Sequence, residues 1–235
     1  MRISYLQHTK SEGPGYIAEW AENKGHELTG YNMINGDMLP AIDNFDWLIV
    51  LGGPMSIDEI RKYPWLKDEK TLISEAMKKK KVVIGICLGA QMMAEALGGR
   101  VFKSPLKEIG WYPIQMTHHA TSDEIFSVLP NQPMVFHWHN DMFDIPLKAK
   151  HLGLSMACRN QAFIQDTHII GLQFHLEQTR DSIKKLIAHQ GGMSKGRYVQ
   201  KSVDILEKLN YVEECNSLMA KLLDRIEEVN SGEKE

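Results

Sequence analysis

Two uninterrupted apolar runs constrain the fold of this sequence more than any other feature. Trp-Leu-Ile-Val-Leu occupies residues 47–51, and Val-Val-Ile-Gly-Ile occupies residues 82–86. A strand with one face in water alternates apolar and polar residues, whereas a strand covered by helices on both faces is apolar throughout. The two runs therefore predict neighbouring central strands of a parallel sheet, deep in the protein.

Strand-like and helix-like segments alternate around these runs. Extended, β-branched segments at residues 2–6 and 27–33 enclose a helical pattern at 15–23, and further helical patterns cover 65–81 and 88–97. Shorter strand-like pieces, for which some antiparallel pairing is expected, lie at residues 111–116, 134–138, 152–156, 162–165 and 169–174. This alternation predicts an α/β fold with a mostly parallel sheet flanked by helices.

The last part of the sequence is predicted to be helical. Thr179 is a predicted N-cap, and two sets of apolar residues follow at helical spacing. They are Ile183, Leu186 and Ile187, and then Leu218, Met219, Leu222, Leu223 and Ile226. We expect one α/β domain over residues 1–190 and a C-terminal helical extension over residues 191–235 that packs on the same domain.

Charge and cysteine content exclude several classes of function. The 235 residues carry 27 basic and 30 acidic side chains, so no strong field favours nucleic acid or an anionic membrane. No signal peptide and no apolar run of bilayer-spanning length is recognisable. The three cysteines are far apart and form no Cys-x-x-Cys pair, which is typical of reduced thiols. We expect a cytoplasmic protein with a small-molecule partner.

Cys87 is the candidate nucleophile. It lies in Gly85-Ile-Cys-Leu-Gly89, between an apolar run and a helical pattern, as in a nucleophile elbow in which flanking glycines permit a sharp turn. A helix N-terminus there stabilises a thiolate, and the N–H of Leu88 can donate to an oxyanion. A cysteine is more often a small buried apolar residue, and that interpretation holds for Cys158 and Cys215, which have no such context.

His175 is the candidate base for this nucleophile. It follows the apolar segment at residues 169–174, and Glu177 lies two positions later, on the same face of an extended segment. A carboxylate there can hold one ring nitrogen while the other faces the thiol. Alone, the pair would be an ordinary surface His–Glu contact.

The Gly52-Gly-Pro54 segment follows the first central strand, so Gly53 N–H is a candidate second oxyanion donor. By itself such a segment usually marks only a turn.

The histidine pairs raise a metal hypothesis, because His137 and His139 alternate on a strand. No third ligand is recognisable, and adjacent His118 and His119 would face opposite sides of a strand, so no metal site is predicted. A role for His139 in lining a pocket is favoured.

Three segments together resemble a known enzyme family. They are Gly52-Gly-Pro-Met-Ser56, Gly85-Ile-Cys-Leu-Gly-Ala-Gln91 and Gly171-Leu-Gln-Phe-His-Leu-Glu177. In order and approximate spacing they resemble the class I glutamine amidotransferases, in particular the glutaminase domain of GMP synthase, across most of residues 1–190. Lys107-Glu-Ile-Gly-Trp111 looks like a further segment of that family, and His137-Trp-His-Asn-Asp141 looks like its Ser-His-Gly-Asp loop.

The resemblance implies a flavodoxin-like fold and a cofactor-free glutaminase. It implies the following roles: catalytic Cys87, His175 and Glu177; oxyanion donors Gly53 and Leu88; and glutamine-binding residues Gly52, Gln91, His139, Asn140 and Asp141. The sequence departs from the family in having His175-Leu-Glu177 where His-Pro-Glu is usual, and in an altered Ser-His-Gly-Asp loop. No synthetase domain follows, so a separate synthetase or other ammonia acceptor is an expected partner.

Three rival functions remain. A γ-glutamyl peptidase would use the same residues on a different leaving group. An α/β-hydrolase of the dienelactone type also has a Gly-x-Cys-x-Gly elbow, but its acid precedes the histidine in the chain, whereas Glu177 follows His175. A non-catalytic binding protein on this fold is disfavoured by the presence of Cys87, His175 and Glu177 together.

Overall fold

The structure is a computed structural model that describes residues 1–10, 12–189 and 195–232. The strands are β1 (Arg2–Gln7), β2 (Glu27–Asn32), β3 (Trp47–Val50), β4 (Val82–Ile86), β5 (Val101–Pro113), β6 (Gln115–Met116), β7 (Met134–Phe143), β8 (Lys150–Leu154), β9 (Ala162–Gln165), β10 (Ile169–Leu172) and β11 (Tyr198–Val199). The α-helices are α1 (Tyr16–Asn23), α2 (Trp65–Lys78), α3 (Leu88–Ala96), α4 (His118–Ser122), α5 (Arg180–His189), α6 (Ser202–Glu207) and α7 (Tyr211–Ser231).

The main sheet has eight strands in the order β2-β1-β3-β4-β10-β9-β8-β6. The first five are parallel, which is the strand order of a flavodoxin-like fold. The other three are antiparallel, as expected from the shorter strand-like pieces. The two apolar runs form adjacent strands β3 and β4, so the prediction of neighbouring central strands is confirmed.

Alternate residues of the central strands bury their side chains against opposite helical layers. In β3, Trp47 and Ile49 belong to one apolar cluster, whereas Leu48 and Val50 belong to the other. The helices α2 and α3 contribute to the cluster on the second face, and α1 and α7 contribute to the first. Each fully buried aliphatic side chain contributes about 1.5–3 kcal/mol to stability, so the two layers hold the sheet firmly.

A second sheet of three strands, in the order β11-β5-β7, stands beside the main one. Strands β5 and β7 are antiparallel, and their register shifts between Lys103 and Glu108. The short strand β11 comes from the C-terminal extension and pairs in parallel with Glu108 and Ile109 of β5. The extension therefore contributes a strand to the same body as the core.

Helix α7 packs closely against the rest of the protein. The apolar residues predicted to share one face, Leu218 to Ile226, are buried in the first apolar cluster. Trp20 of α1 donates to Asp224, with 2.9 Å between the indole nitrogen and the carboxylate oxygen. Helix α7 is thus joined to α1, while the expected division between residues 190 and 191 falls outside the described residues.

Two local predictions differ from the structure. The strand predicted over residues 169–174 ends at Leu172, and only an isolated bridge joins His175 to Phe136 beyond it. His118 and His119 lie in helix α4 rather than on a strand, because Thr117 caps a helical turn by accepting from Ala120 N–H. No helix in the described part of the chain is long and apolar enough to cross a membrane.

Candidate active site

The carboxyl ends of four parallel strands meet at one edge of the main sheet. The chain runs outward from β1 to β2 and then returns to place β3 on the other side of β1. A crevice opens where the strand order reverses in this way, at the carboxyl ends of the strands. His8 follows β1, Gly52 follows β3, Cys87 follows β4, and the segment leading to His175 follows β10.

Cys87 occupies the turn between β4 and α3 in a strained backbone conformation. Its φ is 53° and its ψ is −104°, a region that residues with a side chain seldom adopt. The backbone N–H of Cys87 donates to Leu172 of β10 at 2.7 Å, and its carbonyl accepts from Gln91 N–H at 3.1 Å. These bonds hold the turn, and the thiol side chain lines the main cavity of the site.

The glycines that flank Cys87 have a different role from the predicted one. Neither Gly85 nor Gly89 has a positive φ, so the sharp turn is made by Cys87 itself. A Cβ on Gly89 would overlap the carbonyl oxygen of Val50, and a Cβ on Gly85 would lie 2.6 Å from the nitrogen of Ala90. The glycines are therefore needed because helix α3 packs directly against the backbone of the central strands.

Gly89→Ala is expected to destabilise the fold by at least about 2 kcal/mol, because the added methyl group has to displace β3 or α3. Urea unfolding measures this loss. Gly153→Ala is the matched control, since a Cβ there meets only ordinary contacts at 3.8 Å and should change stability by less than about 1 kcal/mol. Equal stability of the two variants would contradict the proposed packing constraint.

His175 and Glu177 form a buried pair beside Cys87. His175 Nδ1 and Glu177 Oε1 are 2.6 Å apart, and both side chains are almost fully buried. Burial alone would lower the pKa of His175, but the charge of Glu177 and the interactions with Glu177 and Cys87 outweigh it, so the pKa lies well above its usual value. An imidazolium at this position would stabilise negative charge on the sulfur of Cys87.

The segment that carries His175 and Glu177 is fixed from two sides. Tyr16 N–H donates to the carbonyl of Glu177 at 2.8 Å, and a Cβ on the preceding Gly15, whose φ is 53°, would overlap that carbonyl oxygen. From α7, the side-chain amide of Asn216 donates to the carbonyls of Leu176 at 2.8 Å and Gln178 at 3.0 Å. The C-terminal helix thus holds the backbone on both sides of Glu177.

His8 orients the Gly52–Gly53 peptide. Its Nδ1 lies 3.1 Å from the carbonyl oxygen of Gly52, and its Nε2 lies 2.8 Å from Glu69 Oε1 in a fully buried pair. Burial lowers the pKa of His8, but Glu69, the Gly52 carbonyl and Glu12 together raise it above its usual value, which favours a His8 that donates from both nitrogens. In a trans peptide the carbonyl and the next N–H point in opposite directions, so the Gly53 N–H points away from His8.

A cavity of about 850 Å³ opens over Cys87. Of the predicted site residues, it is lined by Gly53, Cys87, Gln91, His139, Asn140 and Asp141. Gly52, Leu88, His175 and Glu177 do not line it. A Cβ built on Gly52 would lie 2.6 Å from Glu12 Oε2, 3.2 Å from His175 Cε1 and 3.6 Å from Cys87 Cβ, so these three side chains converge over Gly52.

The predicted substrate residues Gln91 and His139 both contact the backbone carbonyl of Asp141. Gln91 Nε2 is 3.4 Å from the carbonyl oxygen of Asp141 and 3.2 Å from Gln173 Oε1. His139 Nδ1 is 3.2 Å from the same carbonyl of Asp141. The altered loop is therefore held against helix α3 on one side of the cavity.

Several residues of the site were missed by the sequence analysis. His8, Glu12, Glu69, Glu108 and Asn216 look like ordinary polar residues in the sequence, and only the position of His8 directly after β1 was a usable signal. Burial raises the pKa of Glu12, as does the charge of Glu177, while His175 and His8 oppose the rise. Glu108 brings a carboxylate close to His137 and His139, so that one potential ligand atom from each of the three lies within 4.8 Å of the others, which the sequence did not reveal.

Comparisons with known proteins find relatives and solved structures that match nearly the whole chain. The glutamine amidotransferase-like protein YfeJ of Salmonella typhimurium is 34% identical over 233 residues, which are 96% of this chain and 97% of that protein. A crystal structure of a glutamine amido transferase from Methylobacillus flagellatus has a TM-score of 0.90 at 30% identity, covering 96% of this chain and 93% of that one. A glutamine amidotransferase from Thermotoga maritima has a TM-score of 0.86 at 29% identity, covering 96% and 97%.

GMP synthase of Borrelia garinii subsp. bavariensis is 34% identical over 137 residues, which are 58% of this chain and 24% of that enzyme. The match thus spans about a quarter of the synthase. Residues 24–192 match the family model described as glutamine amidotransferase class-I. Because that model covers most of the sequence and YfeJ matches nearly all of it, the chain belongs to the class I glutamine amidotransferase family of enzymes, which transfer or hydrolyse the amide of glutamine.

Proposed function

We propose that the protein hydrolyses the side-chain amide of glutamine through a thioester on Cys87. The thiolate attacks the γ-carbonyl carbon, a C–S bond forms, and the carbonyl oxygen becomes an oxyanion. His175, as the imidazolium, gives its proton to the departing nitrogen, and ammonia leaves as the C–N bond breaks. His175 then accepts a proton from water, which attacks the thioester and releases glutamate.

The oxyanion is expected to rest on two backbone donors. Leu88 is the first residue of α3, where an N–H group has no partner inside the helix. The Gly53 N–H is turned away from His8 by the bond that His8 makes with the Gly52 carbonyl. Because these donors are in place before the reaction, the protein does not have to reorganise as the oxyanion forms. Each donor raises kcat by roughly 10²–10³-fold.

The observation that supports this proposal most is the buried His175–Glu177 pair beside the strained Cys87. The 2.6 Å contact fixes the ring of His175, and Cys87 contributes to the raised pKa of that histidine. A cysteine, a base and an orienting carboxylate in this order are the parts that acyl transfer requires.

Glutamate release from glutamine tests the proposal directly. We expect the unmodified protein to release glutamate and ammonia in equal amounts, with the Cys87→Ala protein as the blank. Hydroxylamine added during turnover should trap the acyl group as γ-glutamyl hydroxamate. The proposal would be overturned if the protein failed to turn over glutamine both by itself and in the presence of synthetases that use ammonia.

A γ-glutamyl peptidase activity is the second candidate. The cavity of about 850 Å³ lies near the upper end of the usual range for small-molecule sites, and Lys103 and Lys107 also line it. Cationic side chains there suit the carboxylate of a γ-glutamyl amino acid leaving group. Comparing glutamine with γ-glutamyl dipeptides in the same assay separates the two functions, because turnover of dipeptides alone would make this protein a peptidase.

The ammonia is proposed to pass to a separate synthetase. GMP synthase, as its name states, is a glutamine-hydrolysing enzyme, and this chain matches only about a quarter of its length. If such an acceptor exists, its presence should raise the rate of glutamate release, as measured with purified candidate enzymes. Free glutamine hydrolysis that no acceptor accelerates would count against a partner.

His8 is proposed to hold the oxyanion peptide in its donating orientation. A single change at His8 would leave Glu69 buried without its charge partner, which costs roughly 3–5 kcal/mol. The informative protein is therefore the double variant His8→Leu with Glu69→Leu, which removes both buried charges. We expect kcat to fall by about 10–10³-fold while KM changes by only a few-fold, because the lost orientation matters in the transition state.

Glu69→Gln is the matched control for this pair. It keeps a hydrogen-bond acceptor for His8 Nε2 and leaves the bond from His8 Nδ1 to the Gly52 carbonyl in place. Its kcat should stay within about tenfold of the unmodified value. A double variant that folds and keeps full kcat would show that His8 has no part in orienting the peptide.

A further inference from the structure

A second cluster of buried polar side chains lies at the wall of the cavity, which one of its members, His139, also lines. Glu108 of β5 and His137 and His139 of β7 are nearly or fully buried, with exposed fractions of 1%, 0% and 4%. One ligand atom from each lies within 4.8 Å of the other two. None of the proposed steps at Cys87 uses this cluster, so it needs an explanation of its own.

The backbone of the second sheet brings the three residues together. In the antiparallel register, Glu108 is opposite His139, and Gly110 is opposite His137. The register shift between Lys103 and Glu108 lies directly before this pairing. Irregularities of this kind re-aim side chains, and here the Glu108 carboxylate lies between the two histidines.

The neighbouring backbone carbonyls indicate which ring nitrogens of the two histidines carry hydrogens. His137 Nε2 is 3.3 Å from the carbonyl oxygen of Tyr112, and His139 Nδ1 is 3.2 Å from that of Asp141. A carbonyl oxygen can only accept, so these nitrogens are the donors. In a neutral histidine the other nitrogen then carries a lone pair, and both of these nitrogens face Glu108.

With both histidines neutral, the centre of the cluster would contain only electron-pair donors, whereas a second proton on His139 would complete a hydrogen bond between its Nε2 and Glu108 Oε2. His137 Nδ1 lies 3.4 Å and His139 Nε2 lies 3.3 Å from Glu108 Oε2. Among the described residues, His137 Nδ1 and Glu108 Oε1 have no hydrogen-bond partner although both atoms are buried. A buried carboxylate that faces two lone pairs is stabilised by a positive charge between them, which either a metal ion or a second proton on a histidine would supply.

We propose that Glu108, His137 and His139 bind a divalent transition-metal ion of the zinc class. Two imidazoles and one carboxylate form a ligand set that Zn²⁺ accepts, and ligand atoms about 2.0–2.1 Å from a tetrahedral ion lie roughly 3.3–3.4 Å apart. The two nitrogen-to-oxygen distances to Glu108 Oε2, 3.4 Å and 3.3 Å, are close to that edge, and all three ligand atoms lie within 4.8 Å of one another.

The residues around the ligands match the surroundings of a metal site. Metal-binding histidines usually donate their second N–H to a carbonyl or carboxylate, and His137 and His139 both face backbone carbonyls. The Glu108 carboxylate is also held in place. Its Oε2 accepts from Ser155 Oγ at 2.9 Å and from Gln161 Nε2 at 2.6 Å.

The ion would fix the wall of the cavity. It joins β5 to β7 at the point where Trp138, His139 and Asp141 face Cys87 and Gln91. The carbonyl oxygen of Trp138 lies 4.0 Å from the sulfur of Cys87. A structural ion at this place holds the loop that borders the reactive thiol, and this inference does not depend on the reaction at Cys87.

Metal content of the purified protein tests the proposal. The full chain, prepared without a metal-affinity tag, is dialysed and its metal is measured by mass spectrometry, followed by titration with Zn²⁺. We expect one ion per chain, and we expect Glu108→Gln to weaken Zn²⁺ binding by more than about tenfold. Removal of the ion by a chelator should lower the melting temperature of the unmodified protein but not that of Glu108→Gln.

Two control variants separate this cluster from other candidate ligands. His118→Gln with His119→Gln alters an adjacent histidine pair on helix α4 and should keep one ion per chain. Cys87→Ala should also keep it, whereas an ion held by the catalytic thiol would be lost. X-ray absorption of the Zn²⁺-loaded, unmodified protein should show nitrogen and oxygen ligands without sulfur. This measurement does not depend on whether any variant folds.

The outcomes divide clearly. One ion per chain with nitrogen and oxygen ligands, lost in Glu108→Gln and kept in the two controls, supports the proposal. Protein without metal that also fails to bind added Zn²⁺ would overturn it, and the positive charge would then be a second proton on a histidine. Sulfur ligands, or unchanged binding by a folded Glu108→Gln protein, would overturn it as well.

Discussion

Replacing Cys87 with alanine is expected to reduce glutamate release by roughly 10⁶-fold, because no other group in the cavity can form the thioester. The fold should survive, since the change removes one sulfur from a position held by backbone bonds to Leu172 and Gln91. Glutamate release and thermal unfolding, measured on the same preparation, check both parts. A variant that unfolds, or one that keeps measurable turnover, would contradict the proposed role.

Cys158→Ala is the matched control for this prediction. Burial raises the pKa of Cys158 and of Cys215 to about 12, so neither thiol forms a reactive thiolate near neutral pH. Iodoacetamide should therefore label Cys87 alone and abolish activity in the Cys158→Ala protein as it does in the unmodified one. Labelling of Cys158 or Cys215 in the folded protein would argue against this account.

Glu177→Gln is expected to lower kcat by roughly 10³–10⁴-fold, because the carboxylate fixes the ring of His175 and stabilises its protonated form. Gln178, which also donates to Glu177 Oε1 at 2.9 Å, supplies a milder comparison. Gln178→Ala should keep most of the activity. Steady-state kinetics on the two variants measure the difference, and equal losses would show that the charge of Glu177 has no special role.

The same substitution should change the pH profile. The charge of Glu177 helps to hold the pKa of His175 well above its usual value, so the imidazolium and the activity should persist above pH 6.5 in the unmodified protein. Removal of that charge lowers the pKa of His175, so the alkaline limb of kcat/KM should move to lower pH. If the alkaline limb stays in place, it reports the titration of a group other than His175.

Local patterns in the sequence were enough for much of the fold. The two apolar runs became adjacent strands β3 and β4, and the predicted apolar face of α7 is buried. Both predictions rest on periodicity within one segment, which depends on burial and hardly on the rest of the chain. The segment after β10 was predicted less well, because His175 and Glu177 are held by tertiary contacts beyond the end of that strand.

The candidate site could be predicted only in part from the sequence motifs. Cys87, His175 and Glu177 stand in recognisable segments, and their separate positions in the sequence are brought to one edge by parallel strands. The role of the flanking glycines was misjudged, because close packing of α3 on β3 is a contact between distant segments. His8 and Glu69 lie 61 positions apart, and nothing local marks them as a buried pair.

The sequence by itself determined the α/β class, the place of Cys87 at a strand-to-helix turn, and the family to which the chain belongs. Only the tertiary structure decided which polar residues are buried together, namely His8 with Glu69, and Glu108 with His137 and His139. The physical reason is that apolar periodicity is a local property of a single segment, whereas the pairing of buried polar groups depends on strand order and register. Those are set only when distant segments pack.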